Sequence, residues 1–412
     1  MRVTYATGAH PKLKILFHHR TASRDGQAVH IDELIGAFRR IGHEVIVVGP
    51  ALSARHEFGD ESRAVALLKR SLPRAAFEIL ELAYSLVAYQ RLARAYREHR
   101  PDVLYERFNL FLLAGAWLRR RHRLPLLLEV NAPLYDERMR FGGLALKSLA
   151  HWSQKVAWRG ADMVLPVTDA LAEYVRRDGV SKECIAVIQN GINPDIFLRE
   201  IDSAAAKARF GLEGRLVLGF VGFVREWHGL GKVVEWLADS DLDMNVSLLV
   251  LGDGPGRQEL VRQSERLGVR DKVVLPGLID RDSIPHSVSA FDIALQPAVT
   301  AYASPLKLFE YMALGRAIVA PRQPNIEETL TDGVNALLFK RDDQADFRAQ
   351  IERLCRDPAL RGRLGAAARR TIVEGDFTWD GNARRIEALF VRSTGREGPG
   401  SPRRRSSRSA DL

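Results

Sequence analysis

A basic loop follows an apolar run in the second half of the chain, and its residue types suit the binding of phosphate. Gly219–Gly231 reads Gly-Phe-Val-Gly-Phe-Val-Arg-Glu-Trp-His-Gly-Leu-Gly, in which a strand pattern gives way to Arg225 and His228. Arginine offers two parallel donors to an anion, and histidine offers a donor whose charge depends on pH. The segment predicts a loop that meets a diphosphate, although either residue in isolation is more typical of an exposed arginine or a helix-capping histidine.

A glycine-rich turn follows a second apolar run. Leu249–Gly256 reads Leu-Val-Leu-Gly-Asp-Gly-Pro-Gly. Glycines let backbone amides approach a phosphate, and the start of the next helix favours negative charge. The signal is weak, because any tight turn from strand to helix uses glycine. Gly252, Gly254 and Gly256 are also too closely spaced for a dinucleotide-binding fingerprint.

A third segment that could bind an anion is Ala303–Gly315 (Ala-Ser-Pro-Leu-Lys-Leu-Phe-Glu-Tyr-Met-Ala-Leu-Gly), which contains a predicted helix start. Ser304 is expected at the N-cap and Pro305 at the first helical position, which leaves the following amides ready for an anion. Lys307 adds positive charge there. Glu310 lies on a mostly apolar face, and a buried carboxylate needs a partner. Sugar hydroxyls fit that role better than a salt bridge to a nearby arginine.

Short apolar runs alternate with helical patterns along the whole chain, which predicts parallel sheets built from strand–helix–strand units. The predicted strands are Leu13–His18, Glu44–Val48, Asp102–Tyr105, Leu124–Val130, Asp162–Pro166, Ile185–Ile188, Leu216–Gly222, Asn245–Leu251, Lys272–Leu275, Asp292–Gln296 and Ala317–Ala320. The predicted helices are Val29–Ile41, Arg74–His99, Leu110–His122, Leu144–Arg159, Asp169–Arg177, Leu230–Ala238, Gly256–Leu267, Pro305–Leu314 and Asp342–Cys355. Pro73 is expected to break a helical pattern that begins near Arg63.

The turn-forming segment Gln189–Pro194 separates the two sets of strands. The predicted fold class is α/β, with two doubly wound Rossmann-like domains facing across a cleft. The first domain spans residues 1–190 and the second spans residues 191–376. Ligands are expected at the carboxyl ends of the strands.

Composition and charge exclude several classes of protein. With 46% hydrophobic and 27% charged residues, the chain is typical of a globular protein. Two cysteines, Cys184 and Cys355, are too few for a disulfide scaffold and fit a reducing cytosol. No apolar stretch is long enough to span a bilayer, and the first residues lack a signal core, so export is not expected.

The net charge of +10 is partly concentrated in one tail. Residues 392–412 carry six arginines against Glu397 and Asp411, and are rich in Gly, Pro and Ser, so they are predicted to be disordered. The rest of the chain has a mild basic bias that suits anionic ligands or an anionic membrane face. Basic residues without interleaved aromatics argue against specific nucleic-acid binding.

Taken together, these segments resemble the retaining nucleotide-sugar glycosyltransferases of the GT-B fold (group 1, family 4). The resemblance covers nearly the whole chain. It is carried in order by Asp25–His30, Arg40–Val45, Val187–Ile192, Leu251–Pro255, Ser304–Gly315 and Asp332–Asn335. A subgroup with a Trp-His-Gly loop and the sequence Ser-Pro-Leu-Lys-Leu-Phe-Glu-Tyr-Met-Ala is the most similar, since both features are present here.

The resemblance implies a division of labour between the two domains. The second domain would bind the sugar nucleotide, the first would bind a glycan or lipid-linked acceptor, and residues 377–391 would form a helix that returns to the first domain. Arg225, His228 and Lys307 would be catalytic. The implied donor-binding residues are Gly222, Gly229, Gly252, Gly254, Ser304, Leu306 and Glu310. The implied acceptor-side residues are Gly26, His30 and Asn131.

Four positions depart from the family pattern. Tyr302 occupies the place of a first donor-site glutamate, and Phe223 and His228 occupy the places of the arginine and lysine that clamp the diphosphate. Arg225 is the candidate substitute for that clamp. Asn131 stands where the family commonly has a histidine, and an amide hydrogen-bonds a hydroxyl but cannot shuttle protons.

No cofactor and no metal are expected, because no His-Glu-x-x-His, Asp-x-Asp or clustered acidic pattern occurs. Helix dipoles and Arg225 would take the place of a divalent cation at the diphosphate. The predicted function is a cytoplasmic, retaining glycosyltransferase of surface polysaccharide or glycoconjugate synthesis. The alternative is a non-catalytic nucleotide-sugar or glycan-binding protein. Arg74–Arg100 is predicted to be a basic amphipathic stretch that rests on anionic lipid or, equally, a core-facing helix.

Overall fold

The computed structural model describes residues 12–21, 26–50, 71–240 and 244–394. These residues form two compact units. Unit 1 holds the described residues up to Val167, then Leu171–Ile188, and then the chain from Asn382 onward. Unit 2 holds Thr168–Ala170 and Gln189–Gly381. The predicted basic tail lies outside the described residues except for its first positions.

Unit 1 is built on a parallel sheet of five described strands in the order β2-β1-β3-β4-β5. Its strands are β1 (Lys14–His18), β2 (Glu44–Val48), β3 (Val103–Arg107), β4 (Leu126–Val130) and β5 (Met163–Pro166). Its helices are α1 (Gly26–Arg40), α2 (Arg74–His99), α3 (Ala114–His122), α4 (Leu134–Arg140), α5 (Lys147–Arg159) and α6 (Asp169–Arg177), whose first two residues group with unit 2.

Every residue of β3 and β4 is buried, as expected for central parallel strands that are covered on both faces. The carboxyl ends of β1, β3 and β4 are neighbours in this sheet, since His18 pairs with Glu106 and Arg107 pairs with Glu129. The sheet therefore brings polar side chains from three strands to one edge.

Unit 2 has a parallel sheet of six described strands in the order β11-β10-β9-β6-β7-β8. Its strands are β6 (Leu216–Val221), β7 (Val246–Leu251), β8 (Val273–Gly277), β9 (Ile293–Leu295), β10 (Ala317–Arg322) and β11 (Leu337–Lys340). Its helices are α7 (Pro194–Phe197), α8 (Ser203–Ala208), α9 (Leu230–Asp239), α10 (Arg257–Arg266), α11 (Ile284–Val288), α12 (Leu306–Ala313), α13 (Pro324–Glu327), α14 (Gln344–Arg356) and α15 (Pro358–Glu374). The last helix, α16 (Trp379–Thr394), begins in unit 2 and continues in unit 1.

Two doubly wound α/β units confirm the predicted fold class, with local corrections. The predicted strand Ile185–Ile188 is wrong, because only Ile185 forms a bridge, to Val164. The helix predicted from Leu110 begins only at Ala114, after Phe111 takes a positive φ of 65°. The pattern near Arg63 lies outside the described residues, but α2 does begin directly after Pro73. Among the described helices, none has both the length and the apolar character required to cross a bilayer.

Candidate active site

The carboxyl end of β6 leads into a turn that only glycine accommodates. Gly222 has a φ of +132°, and its N–H donates to Leu251 O at 2.9 Å. A Cβ atom at this position would lie 3.2 Å from Nζ of Lys307. Gly222 therefore leaves space beside the strand end for the Lys307 ammonium group, which reaches it from the first turn of α12.

Lys307 lies over an aromatic ring in a largely dehydrated position. Its Nζ is 3.6 Å from the centre of the Phe220 ring, a distance at which the ring attracts a cation. Burial lowers the pKa of Lys307 to about 7, and the Glu310 carboxylate on the same helix opposes this shift. The site thus contains an amine whose charged form an incoming anion would stabilise.

His228 is buried at the end of a short 3₁₀ turn and makes a structural contact. Its Nδ1 accepts the backbone N–H of Arg225 at 3.3 Å. Burial, and after it the charges of Lys307 and Arg225, lower the pKa of His228 to about 3. The ring is therefore neutral at physiological pH. The expectation that its charge responds to pH near neutrality is wrong.

Arg225, in contrast, is exposed. Its guanidinium carbon lies 4.8 Å from the centre of the Phe223 ring, so the residue at the expected clamp position supports the arginine two places further on. A guanidinium group offers several N–H donors in a fixed fork, which suits the oxygens of a phosphate. Arg225 and Lys307 thus place one exposed and one half-buried cation around the loop after β6.

The glycines of the loop after β7 are explained by the packing of this loop against the loop after β6. Gly252 and Gly254 have φ values of +137° and +151°. A Cβ atom at either position would clash with the first loop, at Gly222 O and Val224 O respectively. Val224 N–H donates to Asp253 O at 2.9 Å, so the two loops share backbone hydrogen bonds. This close approach accounts for the glycines without a bound phosphate, and their donor-binding role stays a prediction.

The start of α12 differs from the expectation. Pro305 is the N-cap, and Leu306 is the first helical residue. Ser304 does not cap the helix. Its Oγ accepts the backbone N–H of Asn190 at 3.4 Å, and its carbonyl accepts from Asn190 Nδ2 at 2.5 Å. Ser304 therefore joins the start of α12 to the segment at which the main part of unit 2 begins.

The remaining predicted donor residues lie close to these loops. Gly229 has a φ of +76° and precedes α9, and a Cβ atom there would lie 3.4 Å from Pro297 Cβ. Glu310 is half-buried rather than fully buried as predicted. Unit 2 therefore brings Arg225, His228 and Lys307 together beside the end of β6, with Glu310 one helical turn beyond Lys307.

In unit 1 the predicted residues His30 and Asn131 meet at a buried carboxylate. Glu129, in β4, accepts from His30 Nε2 at 3.0 Å and from Asn131 Nδ2. Tyr105 Oη donates to the same group at 2.7 Å, and Arg107 Nη1 donates at 2.5 Å. Gly26, the third predicted residue, is exposed at the first position of α1.

Opposing effects set the ionisation of Glu129. Burial favours the neutral acid, but the charges of His30 and Arg107 and the hydrogen bonds from His30 and Tyr105 outweigh it. The pKa of Glu129 is therefore well below its usual range. Sequence reasoning missed Glu129 and Arg107. The signal that could have found them was the presence of charged residues in two otherwise apolar strands, Glu106 and Arg107 in β3 and Glu129 in β4.

A second buried pair lies at the same edge of the sheet. His18 Nδ1 and Glu106 Oε2 are 2.6 Å apart, and both side chains are buried. His19 follows, and burial together with His18 lowers its pKa to about 4. Among the described residues, no three His, Cys, Asp or Glu side chains are grouped as a metal site requires.

Comparison with known proteins gives two family matches. The sequence model described as Glycosyltransferase Family 4 matches residues 24–196. The model described as Glycosyl transferases group 1 matches residues 202–371. The two matches together cover more than four fifths of the chain.

Curated relatives are distant. An uncharacterized glycosyltransferase of Methanocaldococcus jannaschii is 24% identical over 58% of this chain and 60% of its own length. An alpha-D-kanosaminyltransferase of Streptomyces kanamyceticus is 26% identical over 53% of this chain and 58% of its own length. The chain thus spans less than two thirds of the length of these two relatives. A D-inositol 3-phosphate glycosyltransferase of Streptomyces avermitilis is 24% identical over 87% of this chain and 81% of its own length.

Solved structures share the fold. Anabaena HepE in complex with UDP and glucose superimposes with a TM-score of 0.71 at 18% identity, covering 92% of this chain and 100% of HepE. Sucrose-phosphate synthase from Thermosynechococcus elongatus gives a TM-score of 0.72, also at 18% identity, over 92% of this chain and 99% of its own.

Proposed function

The chain belongs to the group 1 glycosyltransferases, and on that premise we propose that it transfers a sugar from a nucleotide-diphosphate donor to a glycan or lipid-linked acceptor. Unit 2 binds the donor and unit 1 binds the acceptor in this proposal. The observation that carries it is the position of Lys307 beside Gly222 at the end of β6, where a half-buried ammonium group lies next to the loop that holds Arg225.

Transfer requires stabilisation of the negative charge that grows on the departing phosphate. Lys307 and Arg225 supply the positive charge, and the first turn of α12 adds its helix dipole. His228 stays neutral and holds the backbone of Arg225 in place. We propose that these groups serve without a metal ion or cofactor.

The anomeric configuration is retained in this proposal. The leaving phosphate oxygen accepts the proton of the attacking hydroxyl on the same face of the sugar, so no separate general base is assigned. The Trp-His-Gly loop and the sequence of Ser304–Ala313 support the subgroup to which the resemblance points. The HepE complex contains UDP and glucose, which supports a uridine nucleotide as the first donor to test.

Nucleotide release tests the activity. The purified chain is incubated with UDP, GDP and ADP sugars, with and without glycan and lipid extracts, and the free nucleoside diphosphate is measured. We expect acceptor-dependent release with one donor, and a loss of about 100-fold or more in Arg225→Ala. Arg266→Ala, at an exposed position of α10, is the matched control. Binding of a nucleotide sugar without release would instead favour the non-catalytic binding protein.

We also propose that unit 1 contacts an anionic membrane at the cytoplasmic face. The outward side of α2 is apolar in its first half, where Leu86 is 58% exposed, and basic in its second half, where Arg91 and Arg94 are exposed. Phe141, 75% exposed, lies nearby because Arg74 Nη1 donates to Gly142 O at 2.5 Å. Apolar and basic side chains together suit the interface of an anionic bilayer.

A further inference from the structure

The turn that leads into α12 is held through its carbonyl groups by one buried side chain. Residues 300–303 form the turn, and Tyr302 lies in its middle. The N–H of Ala303 donates to Thr300 O at 3.4 Å. Asn325, which is 3% exposed in α13, donates from Nδ2 to Thr300 O at 3.0 Å and to Ala303 O at 2.7 Å. Its amide therefore joins the two ends of the turn.

A second buried amide sets the orientation of Asn325. Gln323 Nε2 donates to Asn325 Oδ1 at 2.8 Å, so the amide oxygen of Asn325 faces Gln323 and its nitrogen faces the turn. The opposite orientation would put the amide oxygen against two carbonyl oxygens, with no hydrogen between them. Gln323 keeps a buried Oε1 that has no hydrogen-bond partner within the described residues. Because such an atom is destabilising, the bonds of its nitrogen explain Gln323 better than the stability of the fold does.

The residue that follows the turn is held separately. Ser304 bonds Asn190 through both its hydroxyl and its carbonyl group, so the start of α12 does not depend on Asn325. In the proposed function the diphosphate binds at the first turn of α12, and the donor sugar is attached to it. We infer that Asn325 is a positioning residue, which fixes the turn of residues 300–303 where it contacts that sugar. The inference deepens the proposed function and rests on it.

The Asn325→Asp variant removes both N–H donors while it keeps the shape of the side chain. A carboxylate repels the carbonyl oxygens of Thr300 and Ala303, so the turn should move. The probes are the nucleotide sugar that the native chain binds most tightly among the UDP, GDP and ADP sugars, and the matching nucleoside diphosphate. The Kd for the nucleotide sugar should increase about tenfold, while the Kd for the nucleoside diphosphate should stay unchanged.

Asn335→Asp is the matched control. Asn335 is also 3% exposed, and its Nδ2 donates to Thr329 O and to Thr371 Oγ1, both at 3.1 Å, in the segment between β10 and β11. Both variants should lower the melting temperature, but only Asn325→Asp should weaken binding of the nucleotide sugar. If the two variants weaken it equally, Asn325 acts only through stability and the inference fails. An equal loss of affinity for the nucleoside diphosphate in Asn325→Asp would also overturn it.

The pH dependence of binding gives a readout that a general loss of stability does not produce. In Asn325→Asp the carboxyl group regains one donor when it is protonated, and burial beside carbonyl oxygens raises its pKa. The difference in nucleotide-sugar affinity between this variant and the native chain should therefore shrink as the pH falls. A difference that is the same at every pH would show that the lost N–H donors are not the cause.

Gln323→Met decides the question if Asn325→Asp does not fold. It removes the bond that orients Asn325 together with the unpartnered oxygen, so the melting temperature should stay close to the native value while the affinity for the nucleotide sugar falls. Native affinity in Gln323→Met would then overturn the inference. A native chain that binds the nucleotide sugar without transferring it would reject the proposed transfer and leave the comparison of affinities valid. A native chain that binds no nucleotide sugar would overturn both.

Discussion

The ammonium nitrogen of Lys307 lies 3.6 Å from the centre of the Phe220 ring, at the end of the strand that leads into the Trp-His-Gly loop. The two residues are far apart in sequence, and their contact places a cation at the point where that loop begins. This relationship makes Lys307 the residue whose removal should be most informative.

Lys307→Met should keep the fold and reduce turnover. Methionine preserves the apolar stem over Phe220 but removes the charge, so we expect a loss of about 100-fold or more in kcat, as for other lost donors at a developing anion. Lys340→Ala, with a side chain 80% exposed, is the control and should be neutral. The measurement is nucleoside diphosphate release under saturating donor. If Lys307→Met releases nucleoside diphosphate at the native rate, Lys307 does not take part in the reaction.

Nucleotide binding should be coupled to proton uptake. Because burial lowers the pKa of Lys307 to about 7, a large part of the free protein lacks this proton at pH 8. A bound diphosphate favours the ammonium form and raises the pKa, so binding at pH 8 should take up protons and should weaken as the pH increases. Calorimetry in buffers of different ionisation enthalpy measures the uptake. If Lys307→Met takes up as many protons on nucleotide binding as the native chain does, another group binds the proton.

The packing of the two glycine-rich loops gives a stability prediction. Gly254→Ala introduces a Cβ atom that clashes with Val224 O, at a φ of +151°. We expect a destabilisation of about 1–3 kcal/mol or more from the backbone conformation and the clash. A Cβ atom at Gly362, within α15, would have no neighbour within 4 Å, so Gly362→Ala should instead stabilise by about 0.5–1 kcal/mol. Urea unfolding of both variants checks the contrast.

Helices and strands were predictable from the sequence where the apolar pattern and the residues at their ends indicated the same limits. The predicted limits of α2, Arg74 and His99, are those observed, because Pro73 and Pro101 restrict the helix at both ends. β11 was missed, since Leu337–Lys340 is too short to show a periodicity. Ile185–Ile188 is apolar enough for a strand, but pairing depends on the distant β5 and forms only one bridge.

The site was less predictable because its contacts join distant segments. A serine before a proline is a good N-cap signal, yet Ser304 bonds Asn190, which lies 114 residues away along the chain. Glu129 stands between Leu128 and Val130 without any motif around it, and its role follows from partners in other elements, such as His30 at a separation of 99 residues. The sequence therefore indicated two residues that the structure places next to one another, His30 and Asn131, but not the carboxylate that joins them.

The outward side of α2 gives the last prediction. Leu86→Glu puts a charge in its apolar half, so binding to vesicles that contain anionic lipid should fall about tenfold or more, because burying a carboxylate at the interface costs more than about 1.4 kcal/mol. Val373→Glu, at an apolar position 56% exposed on α15 of unit 2, is the matched control and should bind normally. Cosedimentation at low and high salt measures both. High salt should weaken binding of the native chain, since Arg91 and Arg94 attract the lipid surface electrostatically. Equal binding by Leu86→Glu and the native chain would show that α2 does not contact the bilayer.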